Sequence, residues 1–141
     1  MTLDLTDPDS LSADLGGTIV LNSQADAELV FVRHPLGQAQ TVGRLGITVS
    51  GVPTTVDDTA FVPNARAFLL VSDVKGNAVY RIDRTNLGFS PGTPHSSSDT
   101  AGIVGLLNLD NGFLTSVATG FGSTRGMVFV VPTEQEEQDQ Q

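Results

Sequence analysis

The sequence predicts an all-β fold, and three observations carry that prediction. Apolar and β-branched residues fall in short runs, Gly, Pro, Asn and Ser punctuate the intervals, and helix signals are nearly absent. At 141 residues, with 15 glycines, 7 prolines and 39% hydrophobic content, the chain holds enough apolar material for one packed domain and too much for general disorder.

The elements follow in order. Residues 17–23 form a first apolar run, closed by the turn Ser23-Gln24-Ala25-Asp26, and residues 28–33 form a second, stopped by Pro35-Leu36-Gly37. Strands at 40–47 and 58–62 come next, and Pro63-Asn64-Ala65 ends the latter. Strands at 68–73 and 77–83 flank Lys75-Gly76-Asn77, and strands at 103–109 and 114–119 flank Asp110-Asn111-Gly112, where Asn-Gly suits the positive φ angles of a tight hairpin. A strand at 127–131 completes a set of about nine. Residues 85–102, with Pro91, Pro94 and Ser96-Ser97-Ser98, read as a surface excursion anchored only by Leu87 and Phe89. Residues 1–16, four aspartates (Asp4, Asp7, Asp9, Asp14) among leucines, read as an N-terminal arm or linker. Residues 133–141 contain no apolar side chain and read as a disordered acidic tail.

Within the β domain, residues 17–132, a weak repeat emerges. Thr18-Ile-Val-Leu precedes a polar turn and an apolar strand, and Thr59-Ala-Phe-Val does the same at an offset of 41 residues. Phe129-Val130 echoes Phe61-Val62 as a third start. A period of about 40–45 residues is that of four-stranded propeller blades, which divides the domain into units at 17–57 and 58–132. Phe61, Leu69, Val71, Val79 and Ile82 are the expected core of the second unit, with Phe68 and Leu70 turned toward a neighbouring sheet.

The stretch Asp58-Thr-Ala-Phe-Val-Pro-Asn-Ala-Arg-Ala-Phe-Leu-Leu-Val-Ser-Asp-Val-Lys-Gly-Asn-Ala-Val-Tyr-Arg-Ile-Asp83 resembles a blade of the NHL and gluconolactonase-like (SMP-30-like) β-propellers. Gly112–Pro132 resembles an outer strand passing into the inner strand of the next blade. The resemblance implies β-propeller-like blades, about two four-stranded antiparallel units. Propellers close with about 4–8 blades, so two blades imply closure by oligomerisation or a fragment of a longer ring. A compact β-sandwich or barrel is the alternative.

Charge and composition exclude several functions. Sixteen acidic against seven basic residues leave a net charge of −9, which disfavours nucleic acid and anionic membranes as partners. The absence of cysteine removes disulfides, thiolate metal sites and Cys nucleophiles. No apolar run has the length of a membrane span, and the acidic start lacks the pattern of a signal peptide. The compartment is not legible.

In gluconolactonase-like enzymes, oxygen ligands at inner-strand entries hold one divalent cation. That resemblance makes Asp57 and Asp58, with Asp73, candidate ligands for Ca²⁺ or Mg²⁺. The plainer reading is a solvated strand entry for Asp57-Asp58 and a turn-bonded side chain for Asp73. The family's enzymes carry Asn-Gly where this chain has Val56-Asp57-Asp58, and no glutamate ligand is assignable unless Glu28 serves. Arg125, in Gly122-Ser-Thr-Arg-Gly126, reads as a site for an anionic ligand, as a partner of Asp57, or as an exposed loop residue. Gly120-Phe-Gly122 fits no dinucleotide fingerprint, since no helix follows. His95 lies in a Pro/Ser segment that offers a nucleophile neither rigidity nor an oxyanion hole, and His34 beside Pro35 reads as a turn residue.

The expectation is therefore a non-enzymatic structural or binding module that acts through self-assembly, with no cofactor required. A divalent-cation-dependent lactonase-type hydrolase is the alternative, and a virion or surface-layer component a further one. Three copies, about six blades, suit the usual blade range, with Ile19, Val128 and Val130 at or beside the interface.

Overall fold

The computed structural model describes residues 2–83 and 89–139; Leu87, one of the two expected loop anchors, and the last two residues of the tail lie outside them. The strands are β1 (Pro8–Ala13), β2 (Ile19–Ser23), β3 (Glu28–Arg33), β4 (Thr41–Gly46), β5 (Thr48–Val49), β6 (Val52–Pro53), β7 (Asp58–Phe61), β8 (Phe68–Asp73), β9 (Ala78–Ile82), β10 (Pro94–Ser98), β11 (Ile103–Leu107), β12 (Leu114–Thr119) and β13 (Thr124–Val130). One short helix, α1 (Glu134–Asp139), follows. The fold is all-β, and the named strands pair antiparallel throughout. Among the described residues no helix is long and apolar enough to cross a membrane.

The first sheet is a meander, β1-β2-β3-β4. The second has the order β12-β11-β10-β7 and the third β13-β8-β9, while β5 and β6 form a small ribbon. None closes into a barrel. The two apolar cores show how the sheets stack. Val20, Leu29 and Phe31 of the first sheet meet Ile103, Leu107 and Leu114 of the second, with Ile47 and Val56 between them. Leu69, Val71 and Ile82 of the third sheet meet Val104 of the second, with Val62 and Phe89. Ile103 and Val104 are adjacent on β11 yet enter different cores, because successive strand side chains point to opposite faces. The second sheet is thus the middle layer, with β11 sending apolar side chains into both cores. β7 packs beside both β1 and β13, so edges of all three sheets meet along one line.

Every strand expected from sequence is present, and β3, β8 and β12 match to the residue. The unit drawn at 58–132 is corrected in its connectivity. Residues 58–83 do not form one blade: β7 pairs with β10, whereas β8 and β9 pair with each other and with β13. The chain changes layers at Pro63-Asn64-Ala65. The partner that claims β7 is β10, in the segment expected to be a surface excursion. Its residues, Pro-His-Ser-Ser-Ser, are buried at every position and lie between two strands. Small side chains let the flanking layers approach, and the Oγ atoms of Ser96 and Thr59 bond at 2.8 Å. Nothing apolar marks such a strand in the sequence.

Four further expectations change. Part of the N-terminal arm, Pro8–Ala13, is β1, paired along β2. Val79 is 66% exposed rather than core. It lies opposite Ser72, while Tyr80 and Ile82 lie opposite the buried Val71 and Leu69; residues 79 and 82 cannot share a face of a regular strand. In the 110–112 hairpin only Gly112 has positive φ, at 77°. A Cβ there would come within 1.8 Å of the Gly46 carbonyl oxygen, so this glycine permits contact between the hairpin tip and the first sheet. The acidic tail contains the helix α1 where no structure was expected.

Candidate functional site

The entry to β7 presents two carboxylates where the three sheets meet. Asp57 is 1% exposed. It accepts hydrogen bonds from the Gln24 side-chain amide, from the Asp99 backbone N–H at 2.7 Å and from the Thr124 hydroxyl at 3.4 Å. Its partners come from the β2–β3 turn, the end of β10 and the start of β13, so one side chain ties all three sheets. Burial pushes its carboxyl up to about 6, against the pull of the Asp99 amide and the Arg125 guanidinium. Asp58 accepts the Met127 N–H at 2.8 Å and its neighbour Thr59 N–H at 2.9 Å, and burial raises it as well.

Asp73, at the end of β8, does related work by a different balance. Its two oxygens accept backbone N–H groups from Gly122 at 2.8 Å, Ser123 at 2.9 Å and Gly76 at 3.0 Å. Those bonds, led by that of Gly122, hold the carboxyl below its ordinary value. The three aspartates singled out as cation ligands therefore fasten one segment, residues 122–127, which feeds β13 into the third sheet. Their oxygens face N–H and O–H donors, and among the described residues no three of Asp, Glu or His converge on one point.

Arg125 is 52% exposed at its side chain and caps this cluster, 3.8 Å from Asp57 and 3.7 Å from Asp99. Of the readings open for it, the structure displays two together, an exposed residue and a partner of Asp57. Gln24 and Asp99 complete the cluster without any sequence signal, since Gln24 comes from another sheet and Asp99 is brought in by the β7–β10 pairing.

His95 sits on β10, 2% exposed, with its ring edge-on to Phe89 at 5.0 Å and to Phe129 at 5.6 Å. Burial pulls its imidazole down to about 4. The setting is a packed core strand rather than a flexible loop, and burial favours the neutral form of the imidazole. His34 occupies a turn at φ 51°, and its carbonyl accepts the Gly37 N–H.

The other distinctive feature is a surface. One face of the third sheet lines the second core; the other meets solvent. Val79 and Val128 stand on the open face at 66% and 53% exposure, beside half-buried Phe68, Leu70 and Val130. Arg81 crosses it with its guanidinium 3.8 Å from the Phe68 ring centre. At the other end of the stack, the first sheet exposes Leu11 and Val42 beside half-buried Ile19 and Leu21. No known family model matches this chain, and comparison with curated proteins and with solved structures finds no significant relative.

Proposed function

We propose that the chain is a non-enzymatic β module that works by self-assembly, the open face of the third sheet seating on a second copy. The observation that carries this reading is the contiguous apolar face built from Leu70, Val79 and Val128. Exposed patches of this kind, continuous rather than scattered, mark interaction surfaces. A second copy fits because the opposite end of the stack carries an apolar face of its own, with Leu11 and Val42 exposed. Within the chain, neighbouring sheets already bury such faces against each other. The carboxylate cluster supports a structural role: its acceptors are engaged in holding sheets together.

The resemblance to propeller blades enters as part of the proposal. With three sheets per chain instead of two blades, about six are reached by two copies, inside the usual blade range. The test is light scattering of the wild-type chain and Val128→Asp at micromolar concentration. Val128 is exposed in the single chain, so the substitution leaves the cores intact. A dimer that Val128→Asp converts to a folded monomer is the expected result; a wild-type monomer overturns the reading.

A further inference from the structure

The first core does not close at the end of β7 farthest from the carboxylate cluster. There a cleft of about 300 Å³ opens between the first and second sheets. Its walls include Phe31, Leu45, Phe61 and Leu109, all apolar, and Arg33 and Asp110 stand among the charged groups lining it. The opening has a specific cause. Gly43 lies opposite Phe31 in the β3–β4 ladder and presents no side chain to cover that ring.

Arg33 fills the space above it. A Cβ at Gly43 would lie 3.1 Å from an Arg33 terminal nitrogen, and the guanidinium carbon is 5.6 Å from the Phe31 ring centre. Among the described residues Arg33 forms no ion pair, whereas Arg44, Arg81 and Arg125 all do. Its guanidinium thus stands without an ion-pair partner beside the apolar part of the cleft. Asp14, also in the wall, is committed elsewhere: one of its oxygens accepts the Gly16 and Thr18 N–H groups of its own turn.

We infer that this cleft binds a small aromatic carboxylate, its ring against Phe61 and Leu109 and its acid on Arg33. A hydrogen-bond donor at the far end of the ligand would meet Asp110. The volume is at the lower end of small-molecule sites, which combine an apolar lining with a few polar groups that fix orientation. A planar guanidinium receives a carboxylate through two parallel hydrogen bonds, which gives direction as well as attraction. The site is separate from the self-assembly face and stands whether or not that face has a partner.

The test uses 4-hydroxyphenylacetate as probe and follows backbone amide shifts of the full chain during titration. Saturable shifts at Arg33, Gly43 and Asp110 are expected. Arg33→Gln, at an exposed position, should weaken binding about tenfold or more by removing the charge-assisted bonds. Gly43→Val should weaken it at least as much by filling the cleft; Gly43 has ordinary φ, and the atom it would crowd is the end of a flexible side chain. Val128→Asp should leave the affinity unchanged. Shifts that do not saturate, or binding that survives both cleft substitutions, would overturn the assignment.

Discussion

The first sheet and the third are built by opposite routes. The first takes β1 to β4 in chain order, each strand joined to its neighbour by a short turn. The third takes two consecutive strands, β8 and β9, and completes itself with β13 from the far end of the chain. Hairpin pairing closes small loops, whereas recruiting β13 orders a long one at greater entropic cost. The third sheet meets part of that cost with side chains that reach the recruited segment across the long loop. Asp73 accepts the Gly122 and Ser123 amides, Asp57 the Thr124 hydroxyl, and Asp58 the Met127 amide. A local sheet is held by its turns; a recruited strand is held by carboxylates aimed at its backbone.

The comparison can be broken from either side. Leu29 and Leu69, each fully buried, anchor the first and second cores. Truncation to Ala should cost about 2–5 kcal/mol in either, read by denaturant unfolding. A loss below about 1 kcal/mol at Leu69 would mean that the third sheet's register is displaced by one residue. Gly112→Ala should cost about 2–3 kcal/mol, since it combines a positive φ with a backbone clash against the first sheet. An unchanged midpoint would show that the hairpin tip does not rest there.

Smaller and more diagnostic is the pH dependence. Asp57 is raised from 3.8 to about 6, so the folded chain takes up a proton on acidification through that window and gains stability. His95 is lowered from 6.5 to about 4, so unfolding takes up a proton on acidification between those values and stability falls. The two slopes oppose each other and largely cancel between about pH 6 and pH 4. Asp57→Asn should therefore unmask a fall in melting temperature on acidification, and His95→Gln a rise. Parallel profiles for both variants would contradict the assignment. The smallest effect belongs to the tail: truncation after Thr133 removes the short terminal helix α1, and the melting temperature should stay nearly constant.

The same contrast marks what the sequence could reveal. β3, Glu-Leu-Val-Phe-Val-Arg, and β8, Phe-Leu-Leu-Val-Ser-Asp, announce themselves because apolar residues on short runs have few alternatives to burial. β10 is as deeply buried as either, yet its Ser96, Ser97 and Ser98 owe that burial to neighbouring layers. Composition records a residue's own preference, not the company it keeps. β1 escaped for a related reason: it is an edge strand whose exposed and half-buried residues alternate through Pro, Asp and Ser. Asp57, Asp58, Asp73 and Arg125 were legible as residues with something to do. The turn bond of Asp73 to Gly76 and the pairing of Arg125 with Asp57 are among the readings the residues allow; the grip on residues 122–127 is not, because it spans separations that only the pairing of β7 with β10 and β8 with β13 brings together.

The most direct test of this contrast is native-state amide hydrogen exchange on the wild-type chain and Asp73→Ala. The substitution removes the acceptor of three backbone N–H groups. The predicted result is selective: amides of β13, Met127 to Val130, lose protection by an order of magnitude or more, while those of β2 and β3 keep theirs. Equal loss in the first and third sheets, or no loss in β13, would contradict the claim that the third sheet is closed by carboxylates.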